Sequence, residues 1–232
     1  LRDAVGETEA LISTSALTGI CALVTLGLRP TQERAEKSNA VWKETLSYVR
    51  QSSTYIFMGG VVIYYLAHSV FDAYIGLHLK ELGYSDSFVG ITWSVGVAAE
   101  VLLMLFAPKI LERFTPGTIL CTSALAATLR WGLLSVITSK AGILAQQPLH
   151  ALTFGLWYLA AAKWIQSKSP DHLRASLQSI MVSSLGLGML SGYLVGGWCY
   201  DVYGGQVLYL CAAVVALISF TIYLPLRRIQ SI

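Results

Sequence analysis

FVGITWSVGVAAEVLLMLFA, residues 88–107, decides the fold. It is apolar apart from small hydroxyls, with one ionisable residue, Glu100, deep inside it. At about 1.5 Å of rise per residue, a run of this length just spans the hydrocarbon core of a bilayer. A carboxylate at that depth costs roughly 2.5–3.5 kcal/mol on insertion scales unless it is protonated or partnered. Two later apolar runs offer partners, Arg130 in one and His150 in the next.

Working outward, apolar runs of similar length lie at about 9–28, 53–77, 117–138, 142–164, 178–199 and 206–226, giving with 88–107 seven candidate spanning helices. None shows the strict alternation of a barrel strand. The whole chain is 55% hydrophobic and 12% charged, with a mean hydropathy of +0.61. Soluble domains carry about 25% charged residues, so the fold class is an all-α, polytopic membrane protein embedded in a lipid bilayer. The net charge of +3 is small and its basic residues sit in short loops, which excludes nucleic acid as a partner. Cys21, Cys121, Cys199 and Cys211 lie in or beside apolar runs without a CxxC spacing, and read as helix-packing residues. No motif calls for a metal or a cofactor. HExxH and GxSxG are both lacking, and His150 has no nucleophile at a defined spacing, so the chain does not read as an enzyme.

Basic residues set the orientation. Arg29, Arg34, Lys37, Lys43 and Arg50, then Lys109 and Arg113, then Lys163, Lys168 and Arg174, then Arg227 and Arg228 fall on one side. The other side has Arg2, Lys80 and Lys140. The first group is expected in the cytoplasm, with the C-terminus there too, in the cell membrane. The long connection, 29–50, is polar up to Asn39 and then amphipathic, with Trp42, Leu46 and Val49 on one face. It is either a short helix on the membrane surface or an extension of the next span. The chain opens on Leu1, with no visible signal peptide, and is expected to begin partway through a longer protein.

Ser85 or Asp86 is a plausible N-cap after Leu82-Gly83, and Pro108 ends the Glu100 helix. Gly188, Gly192 and Gly196 recur every four residues, a packing stripe or a sliding face.

The polar residues within the spans form the candidate proton and substrate pathway. Glu100 lies about 12 residues from the external end of its helix, roughly 18 Å deep, and Arg130 and His150 lie roughly 12 Å deep in the next two. An extended arginine bridges the difference, so the three can share one cavity, either as a structural ion pair or as a path for substrate and protons. His68 and Asp72, four residues apart on the preceding span, form a second group, and Gln178 opens the sixth run. Gln146 and Gln147 precede Pro148, which has no N–H for the carbonyl of Leu144 and so opens the helix two residues before His150. Trp93, Trp131, Phe154, Trp157 and Tyr158 lie on the same helices and offer an apolar wall, or plain core packing.

The passage GYSDSFVGITWSVGVAAEVLLM (83–104), then LRWG (129–132), then LHALTFGLWYLAAAKWI (149–165) resembles the 3-phenylpropionic acid transporter family of the major facilitator superfamily, related to the lactose permease-type proton symporters. The resemblance runs over roughly 60–230. It implies a twelve-helix protein of two six-helix halves. Residues 1–28 would be the last helix of the N-terminal half, 29–50 the central loop and 51–232 the C-terminal half, with the missing N-terminal half as an obligatory partner. It also implies proton coupling and solute binding at Glu100, Arg130 and His150. The carboxylate that the permease-type relatives carry one turn after the histidine is Thr153 here, so Glu100 or Asp72 would have to carry the proton. The reading is therefore a proton-coupled symporter of a small organic solute, such as 3-phenylpropionate. An efflux antiporter on the same helices, or a membrane receptor or scaffold that moves nothing, are the alternatives.

Overall fold

The computed structural model describes residues 32–228 and, within the first apolar run, Ile12, Ser15, Ala16, Gly19, Ile20, Leu23 and Val24. The expected span at 9–28 lies otherwise outside the described residues. Helices α1 (Gln32–Val49), α2 (Ser52–Glu81), α3 (Asp86–Met104), α4 (Ala107–Arg113), α5 (Pro116–Leu134) and α6 (Lys140–Gln146) are followed by a π-helical segment (Ala151–Leu156), α7 (Trp157–Lys168) and α8 (Arg174–Tyr223). Among the described residues four helices are long and apolar enough to cross a membrane: Ser52–Glu81, Asp86–Met104, Pro116–Leu134 and the stretch Asp171–Arg227. Packing divides the chain between Lys43 and Glu44, and the contacts that build the site lie in the second unit.

Side-chain caps set the boundaries. The hydroxyls of Ser85, Thr115 and Ser139 accept from the backbone N–H of Phe88, Thr118 and Gly142, at 3.4, 3.2 and 3.3 Å. Of the two cap candidates before α3, Ser85 is the one used. Helix α2 ends in a Schellman motif: Gly83 N–H donates to Lys80 O at 2.9 Å and Tyr84 N–H to Leu79 O at 3.0 Å, with Gly83 at φ 82°. α1 stops at Val49, and Gln51 is extended (φ −63°, ψ 137°) before α2 begins. The connection is thus a separate helix and does not run on into the span. Trp42 and Leu46, on its apolar face, are exposed.

The sixth and seventh apolar runs form two helical arms, as expected, joined by a sharp turn at Gly204 with almost no loop between them. A straight helix of 57 residues would be roughly 85 Å long, far beyond a bilayer. Gly204, at φ 78° and ψ 171°, folds it back. The first arm runs parallel to α2, with Gly188 against Val62 and Tyr65, Gly192 against Leu66 and Ser69, and Gly196 against Val70 and Tyr74. The second arm returns antiparallel, Gly205 against His78 and Tyr223 against Gly60. The glycine stripe is where these backbones meet. α3 runs beside the broken helix α6–α7, Gly96 meeting His150 and Glu100 meeting Gly155.

One end of the bundle holds Lys163, whose Nζ donates to Leu111 O, and Gly117, which packs on the backbone of Leu226 and Arg227. The other end holds the Lys80–Asp86 ion pair (2.7 Å) and the Tyr200 hydroxyl on Glu81 (2.5 Å). The segments 108–116 and 163–174 and residues 226–227 thus share one end, as the alternation of basic loops requires.

Candidate functional site

Arg130 is the organising side chain. It sits one turn before the end of α5 and is 0% exposed. A fully buried guanidinium must spend its five donors on protein acceptors. Nε donates to Gln146 Oε1 (3.3 Å), one terminal nitrogen to Thr153 Oγ1 (3.0 Å) and to His150 Nδ1 (3.1 Å), and the other to Gln147 Oε1 (2.9 Å). The rings of Phe71 and Trp131 lie 4.1 and 4.7 Å from its central carbon. All four acceptors are neutral. Among the described residues no carboxylate forms an ion pair with Arg130.

All four acceptors come from the broken helix, and Pro148 explains why. Lacking an N–H, it leaves the Leu144 carbonyl to Gln147 N–H (3.1 Å), and His150 N–H bonds Gln147 O (2.8 Å). The chain tightens there and then widens into the π-helical turn Ala151–Leu156. Such turns concentrate at functional sites because they turn side chains off the regular helical pattern. Tyr64 of α2 holds this turn, its hydroxyl donating to Thr153 O at 2.5 Å and its ring stacked on Trp157 at 4.9 Å.

His150 joins Arg130 to Glu100. An arginine N–H can only donate, so Nδ1 accepts and the ring proton lies on Nε2. Nε2 faces Glu100 Oε2 at 3.7 Å, an ion-pair distance too long for a hydrogen bond. The Glu100 side chain is 19% exposed and that of His150 6%, so the row runs from a partly open carboxylate to a closed guanidinium. Gly155 makes room for it: a Cβ there would lie 2.9 Å from Glu100 Cγ.

The other expected residues are placed differently. His68 is buried against this site, its ring 6.3 Å from His150, 5.7 Å from Phe154 and 5.8 Å from Trp131. Neither of its nitrogens has a hydrogen-bond partner. Asp72, half-buried, is not bonded to His68, so the shared face does not become a shared bond. Gln178 stands apart from the Arg130 cluster, at the end of the bundle that holds Lys163 and Arg174. Trp93, Trp131, Phe154 and Trp157 do pack around the site, whereas Tyr158 is exposed. Sequence reasoning took Gln146 and Gln147 for signs of a helix break and Thr153 for a departure from a pattern, and passed over Tyr64, Phe71 and Gly155. The spacing of Gln146, His150 and Thr153, on one helix face after a proline-broken turn, was the available signal.

Residues 8–211 match the model of the MFS_1-like family. The chain belongs to that family, within the major facilitator superfamily. It is 28% identical over 229 residues to a probable 3-phenylpropionic acid transporter of Escherichia coli, covering 88% of this chain and 60% of that protein. A xanthosine permease of Escherichia coli is 27% identical over 127 residues, covering 51% of this chain and 30% of the permease. Among solved structures, the crystal structure of the nucleoside transporter NupG superimposes with a TM-score of 0.70 at 18% identity, over 93% of this chain and 59% of NupG. That likeness shows the superfamily fold. The family resemblance read from 83–165 is thereby borne out, and the chain spans about 60% of the length of the first of these relatives.

Proposed function

We propose that this chain is the C-terminal part of a proton-coupled symporter that moves a small organic anion by alternating access across the cell membrane, with its C-terminus in the cytoplasm. The observation that carries the reading is His150 standing between Arg130 and Glu100. A buried guanidinium held by neutral acceptors has no direct ion pair, Asp72 acting on it only from a distance, and a solute carboxylate supplies that pair. Phe71 and Trp131, flanking the guanidinium, suit an aromatic ring beside that carboxylate. The similarity to a probable 3-phenylpropionic acid transporter supports an aromatic acid as the solute class.

Coupling follows from the row of three. An anion that takes Nη1 of Arg130 frees Nδ1 of His150, which then accepts a proton. The imidazolium draws in Glu100, and the loaded, closed state is favoured only with both solute and proton aboard. The membrane potential adds about 2.3 kcal/mol per charge per 100 mV to an inward-moving proton. The N-terminal half of the full-length protein would supply the facing wall of the cavity.

The test uses the full-length protein in de-energised right-side-out vesicles. 3-Phenylpropionate, then nucleosides and sugars, are added and external pH is followed. Alkalinisation with one solute, absent in Glu100→Gln although exchange of that solute persists, is the expected result. Binding of a solute without flux or pH change sinks the symport reading in favour of a receptor, and acidification favours an antiporter.

A further inference from the structure

Gln178 lines a cavity of about 410 Å³ together with Lys163, Arg174, Gln166, Leu111 and Leu159. It lies at the end of the bundle where Lys163 meets Leu111, well away from Arg130. Two cations converge on it, and no carboxylate is among its lining residues. The Lys163 ammonium spends one of its three donors, on the Leu111 carbonyl. Arg174 gives one terminal nitrogen to Gln166 O (3.2 Å) and to Asp171 Oδ1 (2.6 Å), and its Nε is closed off from solvent without any partner. Asp171 is 90% exposed, so it offsets little of that charge. The Gln178 side chain adds an amide and has no hydrogen-bond partner among the described residues. Leu111 and Leu159 supply an apolar wall beside these donors.

We infer that this cavity is a phosphate-binding site, built for the headgroup of an anionic phospholipid or for a free phosphate. Ammonium and amide donors, with the guanidinium donors that Asp171 and Gln166 leave over, around a hollow lined by no carboxylate are the chemistry of phosphate recognition. The apolar wall and the position at the basic end of a membrane bundle suit a lipid whose chains run along the helices. The inference stands apart from the transport reading, because none of its residues belongs to the Arg130 site.

The experiment follows thermal unfolding of the purified, delipidated full-length protein in neutral detergent. Dioctanoyl phosphatidylglycerol, the matching phosphatidylcholine and inorganic phosphate are titrated separately. Phosphatidylglycerol raises the Tm where phosphatidylcholine does not. Lys163→Gln weakens that binding by about fivefold, and Gln178→Glu, which sets a negative charge in the wall without touching a cation, abolishes it. Lys109→Gln, on an exposed lysine outside the cavity, leaves it unchanged. A variant-sensitive shift with inorganic phosphate as well supports the site with free phosphate as a sufficient ligand. A shift that survives both cavity variants, one equal for the two lipids, or no shift with either anion overturns the inference.

Discussion

Glu100 and Arg130 form no direct ion pair; the imidazole of His150 stands between them, Nδ1 3.1 Å from the guanidinium and Nε2 3.7 Å from the carboxylate. The two faces of one ring therefore do different work, and two substitutions separate them. His150→Asn keeps a short acceptor for Arg130 and removes the group that meets Glu100. The protein is expected to fold to wild-type levels, while uptake falls at least about tenfold and loses its dependence on pH, that step being about 1.4 kcal/mol. His150→Ala also strips an acceptor from a buried cation and lowers stability by about 1–3 kcal/mol. Uptake at two pH values and thermal unfolding in detergent check both. Asparagine with wild-type coupling would remove His150 from the pathway.

Arg130 answers to four neutral acceptors and two aromatic faces, so charge alone does not replace it. Arg130→Lys keeps the charge but not the fork that reaches Gln146, Gln147, His150 and Thr153 together. Transport is expected to fall at least about tenfold (1.4 kcal/mol) with the protein still in the membrane. Arg130→Met takes the donor from Gln146, Gln147 and His150, and one of two bonds from Thr153, and costs on the order of 3 kcal/mol or more, seen as loss of folded protein. If Arg130→Met were as stable and as active as wild type, the site would be misassigned.

Much of this was legible in the residues. Apolar run lengths marked the long apolar helices found among the described residues, since bilayer thickness constrains a membrane chain strongly, whereas the run at 9–28 lies largely outside them. Glu100, Arg130 and His150 stood out because ionisable groups are expensive in lipid. What the sequence hid is what depends on local irregularity. The spacing of Gln146, His150 and Thr153 places those three on one face, but that Gln147 also reaches Arg130 depends on the turn at Pro148, and no periodic pattern reports it. Asp72 and His68 share a helical face, yet burial turned His68 into an aromatic cluster and left Asp72 unbonded. The last two runs are two helices, as their apolar stretches imply, and only the abruptness of the single-residue turn at Gly204 could not be read from them.

The glycine stripe can be tested residue by residue. A Cβ at Gly192 would lie 2.4 Å from the Leu66 carbonyl oxygen and 2.1 Å from Ser69 Oγ, whereas one at Gly186 meets nothing within 4 Å. Backbone cannot yield as a side-chain tip can. Gly192→Ala is expected to cost about 1–3 kcal/mol and Gly186→Ala to be neutral or slightly stabilising. Unfolding of the two variants in the same detergent decides it. Equal stabilities would mean that the arm of α8 slides freely on α2 rather than locking to it.

Gly155 is where packing and chemistry meet, and it offers a test by rescue. Its Cα sits under Glu100: a Cβ would lie 2.9 Å from Glu100 Cγ, 3.1 Å from Oε1 and 2.8 Å from the Met104 methyl. The methionine end can move aside, but the Cγ of Glu100 can retreat only by swinging its carboxylate. Gly155→Ala therefore displaces Glu100 from His150, and proton-driven accumulation is expected to fall as in Glu100→Gln while the Arg130 cluster stays intact. Shortening the acid makes room again, so Gly155→Ala with Glu100→Asp should recover more accumulation than either change alone. That non-additivity, read as a double-mutant cycle in uptake, is the signature of a contact that positions the carboxylate. If the two losses simply add, Gly155 serves the helix packing of α3 and nothing more.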